Sequence, residues 1–208
     1  MAATRTSRQT KVRRRAVRRR RVIALLGVAG LTVLAVALIA PVFHDAVKEV
    51  VLPLRHEDII RQQAHDKRLD PALVAAVIYS ESRFRDQTSR AGAKGLMQIT
   101  PETAKFIEHL SGGSTFQLSD LSTPQVNIAY GTYYLRYLLN RYGGNEALAL
   151  AAYNRGEGNV DRWVDEARQQ YKALTIDAIP FGETRAYVRA VESAKRQYRD
   201  NYKSELGL

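Results

Sequence analysis

One unbroken apolar run dominates the start of the chain. Val22 to Ala40 is 19 residues without a charge, and Pro41-Val42-Phe43 extends it. Beyond residue 44 the apolar positions fall three and four apart, the period of helices that bury one face. His44 to Leu54 is a short stretch with Val47, Val50, Val51 and Leu54 at helical spacing, interrupted by Pro53. A helix is predicted over about 57–68. Asp70-Pro71 pairs an N-cap with proline at the first helical position, and so starts a second helix that runs to about Arg83. Arg85 to Lys94 reads as a loop. Thr100-Pro101 repeats the start signal for a helix reaching about His109, with a small-residue break over Ser111–Ser114. Thr123-Pro124 opens a long helix that stops at Gly143-Gly144. Asn145 caps a shorter helix to about Tyr153, and Asn154 to Asn159 reads as a turn-rich loop. Helices over about 161–172 and 183–203 follow, separated by Ile179-Pro180-Phe181-Gly182. No convincing strand pair or repeat is present. The expected class is mainly α, with at most a minor hairpin.

The length of the apolar run gives it a second meaning. About 20 apolar residues cross a hydrocarbon core of roughly 30 Å. Residues 22–43 are therefore expected to form a transmembrane helix that anchors the chain in the cytoplasmic membrane. Residues 1–21 hold ten Lys or Arg and no acid. The positive-inside rule then places this tail in the cytoplasm and residues from about 44 onward outside. A cleaved signal peptide is the competing reading. Against it, the run is long, and Ala40 is followed by Pro41 and preceded by Leu38 and Ile39, a poor cleavage site. The organisation that follows is a basic tail (1–21), a membrane span (22–43), a juxtamembrane segment (44–55) and one domain (56–208).

Charge and composition narrow the partners. The net charge of +11 belongs to the tail, because the remainder carries 22 basic and 21 acidic residues. The pattern therefore argues against a nucleic-acid-binding face. Cations clustered beside a span are instead attracted to anionic headgroups. The chain has no cysteine, which excludes a disulfide scaffold, thiolate catalysis and cysteine metal sites. His44, His56, His65 and His109 show no metal-ligand spacing, so neither a metal nor a cofactor is expected.

The chemically promising stretch is Glu81-Ser82-Arg83-Phe84, followed by Gly92-Ala93-Lys94-Gly95-Leu96-Met97-Gln98. Val74, Ile78 and Glu81 share one apolar helix face by i, i+4, i+7 spacing, so Glu81 extends from a buried stripe. It also lies in the last turn, at the negative end of the helix dipole. Desolvation and dipole both disfavour the carboxylate and raise its pKa. A glutamate tuned toward neutrality can protonate a leaving-group oxygen. A solvated helix-end glutamate fits the spacing equally well.

Four ordered blocks resemble the motifs of soluble-lytic-transglycosylase-like (SLT) domains. The first is Glu81-Ser82-x-Phe84, with Ser89-x-x-Gly92-Ala93-x-Gly95-Leu96-Met97-Gln98-Ile99-x-Pro101-x-Thr103-Ala104. The second is Asn127-Ile128, Gly131 and Tyr133-Tyr134-Leu135. The third runs from Ala147 through Tyr153-Asn154-x-Gly156-x-Gly158-x-Val160, and the fourth is Ile179-Pro180-Phe181-x-Glu183-Thr184-Arg185-x-Tyr187-Val188. Pro53 to Ile60 resembles the lead-in of membrane-anchored members. Thr100 departs from the pattern, since many members carry methionine there.

The resemblance implies a lysozyme-like lytic transglycosylase domain behind one N-terminal transmembrane helix, with peptidoglycan strands as its partner. It implies non-hydrolytic cleavage between N-acetylmuramic acid and N-acetylglucosamine, which leaves a 1,6-anhydro end. Glu81 is then the catalytic residue, acting as acid and afterwards as base. Ser89 would bond sugar, Gly92 and Gly95 would let backbone approach the glycan, and Gln98 would bind sugar through its amide. Met97 is expected at the groove floor or in packing. Tyr153 and Asn154 face the cleft in relatives, and Tyr187 would hydrogen-bond near Glu81. Glu183 is either an acid supporting the site or a first-turn glutamate favoured by the dipole. A lysozyme-like hydrolase and an inactive peptidoglycan-binding scaffold are the alternative functions.

Overall fold

The computed structural model describes residues 30, 31, 33, 35–39, 49–112, 116–170 and 172–208. The chain divides into two compact units, Met1–Val51 and Leu52–Leu208. In the first, residues 30, 31, 33 and 35–39 are helical and exposed. The basic tail, most of the expected span 22–43 and residues 44–48 lie outside the described residues. Among the described residues no helix is long and apolar enough to cross a membrane.

The second unit is helical: α1 (Glu57–Asp66), α2 (Pro71–Ser82), α3 (Pro101–Ser111), α4 (Pro124–Arg141), α5 (Glu146–Arg155), α6 (Glu157–Gln169), α7 (Gly182–Asn201) and a terminal turn, α8 (Lys203–Leu206). Two short 3-10 turns, Leu118–Ser122 and Ile176–Ala178, join them. The predicted caps explain several of the starts. Asp70 accepts the Ala72 N–H at 2.9 Å, Thr100 Oγ1 accepts the Thr103 N–H at 3.1 Å, and Asn145 accepts the Leu148 N–H at 3.1 Å. Each satisfies a backbone donor that the helix start leaves unpaired. Thr123 makes no such side-chain bond, and Pro124 alone marks that start.

The loop expected over Asn154–Asn159 is a correction. Helix α5 runs on to Arg155, Gly156 alone breaks the chain at φ 86°, and α6 begins at Glu157. One glycine in a conformation closed to most side chains replaces the six-residue loop. The minor hairpin reduces to two isolated bridges, Thr88 with Lys94 and Lys94 with Ile99.

Helix α2 is the axis of the core. Its residues Ala72 to Ile78 are all buried, so it is enclosed on every side and the single apolar face expected from spacing was too narrow. It packs most extensively on α7, and α5 packs on α4, α6 and α7. Lys195 of α7 bridges Glu146 at 2.8 Å and Asp70 at 3.4 Å, tying the starts of α5 and α2 to the same helix. At the front of the unit, Tyr202 donates to the Leu52 carbonyl at 2.7 Å and Tyr198 donates to that of Pro53 at 2.6 Å. Leu52 and Pro53, from the segment expected to be juxtamembrane, are thereby clasped to the C-terminal helices.

Candidate active site

Glu81 occupies the last turn of α2. Directly after it, Ser82 is buried and its hydroxyl lies within hydrogen-bond reach of the Leu96 carbonyl at 2.7 Å and the Ile78 carbonyl at 3.1 Å. Arg83 and Phe84 then both adopt left-handed conformations, at φ 53° and 60°. Such a conformation costs a non-glycine residue roughly 1–2 kcal/mol. Burial of Phe84 against Tyr198, ring centres 6.1 Å apart, holds this reversal in place. The chain turns abruptly away and leaves the Glu81 carboxyl at the helix end.

The loop that follows is fastened by polar side chains. Ser89 Oγ accepts the Ala93 N–H at 3.1 Å. Gln98, itself at φ 49°, donates its amide to the carbonyls of Gly95 at 2.8 Å and Gln87 at 3.0 Å. Asn127 of α4 is fully buried and pins the loop from beneath. It accepts the Met97 N–H at 2.8 Å and donates to the carbonyls of Lys94 and Leu121, both at 2.9 Å. Gly95 stands at φ 73°, and a Cβ there would overlap the Asn127 amide and the Leu121 carbonyl oxygen. Its missing side chain makes room for Asn127.

Glu81 is partly buried and accepts a hydrogen bond from the Tyr187 hydroxyl of α7 at 2.7 Å. Burial pushes its carboxyl up to about 7, and the Tyr187 bond, which favours the charged form, pulls the other way. Among the described residues no second carboxylate contributes to this shift. Tyr153 donates to the Met97 carbonyl at 2.9 Å. Burial, and next the charge of Glu81, raise the phenols of Tyr153 and Tyr187 well above their usual value. Two neutral hydroxyl-bearing rings thus enclose one titratable carboxyl. Among the described residues, no group of three or more His, Asp or Glu stands together as a metal site.

The remaining sequence-derived candidates divide. Asn154 is exposed beside Tyr153, and its Oδ1 accepts from Thr184 at 3.0 Å, joining the end of α5 to the first turn of α7. Glu183 is exposed in that first turn. Met97 is fully buried, and a Cβ on Gly131 would come within 2.7 Å of Met97 Cβ, so Met97 packs inside and does not form the groove floor. Ser89 and Gln98 both spend hydrogen bonds on the loop itself. Ser89 keeps a hydroxyl proton to donate and Gln98 an amide oxygen to accept. Two residues with large structural roles, Ser82 and Asn127, were visible only as members of the motif blocks. A polar residue directly before apolar Ile128, near the start of a long helix, was the available signal for Asn127.

The transglycosylase SLT domain family matches residues 58–176, more than half of the chain. The chain belongs to this family. The chain is 35% identical over 153 residues to the soluble lytic murein transglycosylase of Escherichia coli strain K12, covering 71% of this chain and 23% of that protein. It is 31% identical over 168 residues to the membrane-bound lytic murein transglycosylase C of Edwardsiella ictaluri, covering 70% of this chain and 46% of that one. Among solved structures, an inactive variant of the lytic transglycosylase Slt from Pseudomonas aeruginosa superposes with a TM-score of 0.67 at 33% identity, covering 76% of this chain and 26% of that one. The 70-kDa soluble lytic transglycosylase in complex with bulgecin A gives 0.66 at 31% identity, covering 73% and 25%. The chain thus spans about a quarter of the soluble relatives and under half of the membrane-bound one. The matched SLT region ends before Tyr187, so the hydrogen bond to Glu81 comes from beyond it.

Proposed function

We propose that the chain is a membrane-anchored peptidoglycan lytic transglycosylase that forms 1,6-anhydro-muramic ends. The observation that carries this reading is a carboxyl, tuned to about 7 and held by Tyr187, on which no second carboxylate among the described residues acts. Glycoside hydrolysis ordinarily divides its work between two carboxyl groups. One group suffices when the substrate supplies the rest. Protonated Glu81 gives its proton to the glycosidic oxygen, and the bond from that oxygen to C1 of the muramic residue breaks. The substrate's acetamido oxygen stabilises C1. Glu81, now a carboxylate, takes the proton of the C6 hydroxyl, whose oxygen closes onto C1. The proton count balances and no water is consumed. The relatives' names, lytic murein transglycosylases, support the substrate class.

Anchoring through residues 22–43 is supported by the apolar run beside ten cations and by the membrane-bound relative. The cytoplasmic tail then lies opposite the cell wall, and the catalytic unit lies on the same side as its substrate. The test is mass spectrometry of cell-wall sacculi digested with the purified protein. Anhydro-muropeptides are the expected products. Reducing-end products would replace this reading with hydrolysis, and binding without turnover would replace it with a scaffold.

Because Glu81 must start protonated, activity is expected to fall as pH rises above about 7. Tyr187→Phe removes a bond that favours the carboxylate, so the alkaline limb should move up by about one unit, since a hydrogen bond to a charged group is worth roughly 1.5–3 kcal/mol. A pH–rate profile in which the two proteins share one limb would refute the Tyr187 assignment.

A further inference from the structure

Tyr198 of α7 touches both the turn that carries Glu81 and the point where the chain enters the helical unit. It is fully buried. Its ring meets Tyr79 of α2 edge-on, with centres 6.1 Å apart, and lies against Phe84 at the same separation. Tyr79 stands two residues before Glu81 and Phe84 three after it. Between them Arg83 folds back over Tyr79. Its N–H donates to the Tyr79 carbonyl at 3.0 Å, and its guanidinium carbon lies 5.6 Å from the Tyr79 ring centre. Two consecutive non-glycine residues in left-handed conformations do not hold themselves, so the packing around them decides whether the turn persists.

A buried phenol needs a hydrogen-bond partner. Tyr198 finds its partner in the Pro53 carbonyl, 145 residues away in sequence, at 2.6 Å. A bond at the far end of the ring sets how the ring is tilted, and so which surface it offers Phe84. Leu52 is buried as well, and Tyr202, whose ring stacks on Tyr198 at 5.6 Å, donates to its carbonyl. Tyr187 precedes Tyr198 by eleven residues, three turns and about 16 Å away on the same side of α7. One helix therefore holds the Glu81 carboxyl by one tyrosine and the backbone that follows it by another.

We propose that Tyr198 is a positioning residue for Glu81: it transmits the seating of Leu52 and Pro53 to the Arg83–Phe84 reversal, so that Glu81 is held in its reacting position only when the entering segment is docked. The proposal rests on Glu81 being the proton donor of the proposed reaction. Tyr198→Phe frees Pro53 and keeps the ring, and Leu52→Ala loosens the same segment from its own side. Each should lower kcat on sacculi about tenfold per folded molecule with KM unchanged, since small misplacements of a reacting group are costly. A looser turn also admits water to Glu81, so the alkaline limb should move to lower pH, opposite to the shift from Tyr187→Phe. Tyr153 and Tyr187, the phenols coupled to Glu81, stay neutral in that range, so the limb reports Glu81 itself. Carbon-13 NMR of the Glu81 carboxyl in the full-length protein, assigned by its loss in Glu81→Gln, reads the same shift without turnover. The double variant should lose little more than the larger single loss, because both changes act through one path. Leu138→Ala, fully buried in α4, is the control and should keep the wild-type limb. An unmoved limb and carboxyl titration in either variant would reduce the clasp to a structural fastening. That result overturns the proposal, as do a rise in KM alone, an equal shift in Leu138→Ala, or an additive loss of about a hundredfold in the double variant. Should the carboxyl titration shift while wild-type digests contain reducing ends or no products, the coupling stands and the transglycosylase reading falls.

Discussion

Glu81→Gln is expected to cut release of anhydro-muropeptides from sacculi roughly a hundred- to ten-thousand-fold, the range that general acid–base groups supply. The variant keeps an oxygen for the Tyr187 hydroxyl, so its fold should persist. Its stability should also report the tuning of the site. Glu81 titrates at about 7 in the folded chain against 4.5 in the ordinary state. A carboxyl with a raised folded pKa favours the fold most at low pH. Its contribution is complete below about 4.5 and is lost as pH rises toward 7. Glutamine carries no such penalty. The variant should therefore be more stable than the wild type at pH 8, by at most about 3 kcal/mol, and the advantage should vanish near pH 4.5. Urea titrations at the two pH values measure it. An advantage that is the same at both would show that burial does not tune this carboxyl.

Asn127→Ala should be the most damaging single change away from the carboxyl. It removes three buried hydrogen bonds and leaves the Met97 N–H and the carbonyls of Lys94 and Leu121 without their partner. Each lost bond costs about 1 kcal/mol, and each stranded group adds to that, so the total is about 3 kcal/mol or more. Leu138→Ala is the control. Leu138 is equally buried, and its truncation costs a similar amount. It leaves the loop's bonds intact. If Asn127 positions the loop beside Glu81, its variant should lose much more activity than the Leu138 variant at matched folded fraction. Equal activity losses would reduce Asn127 to a stability residue.

The starts of the helices were legible in the sequence because capping is local. Asp70, Thr100 and Asn145 bond the backbone two or three residues away, and such short-range chemistry leaves a signature in neighbouring letters. The end of α5 was not legible. Glycines at 156 and 158 and asparagines at 154 and 159 spell a turn, yet only Gly156 breaks the helix. Packing of Val160 and Trp163 into the core extends α6 back over the remainder. The enclosure of α2 was likewise hidden, because spacing identifies one apolar face and cannot count the partners that surround it. At the site, the Glu81–Tyr187 pair could be placed only through the motif blocks, since the residues are 106 apart in sequence. The burial of Met97 and the use of Gly95 as space for Asn127 depend on contacts across the fold, to which no local pattern points.

The clasp of Leu52 and Pro53 by Tyr202 and Tyr198 has an architectural consequence. The chain enters and leaves the helical unit at neighbouring points. A unit with adjoining ends can be spliced into a host chain, or re-opened elsewhere, without its interior registering the change. It is portable in the way a cartridge is, with the grip at one place. That property suits a module that makes up a quarter of one relative and under half of another.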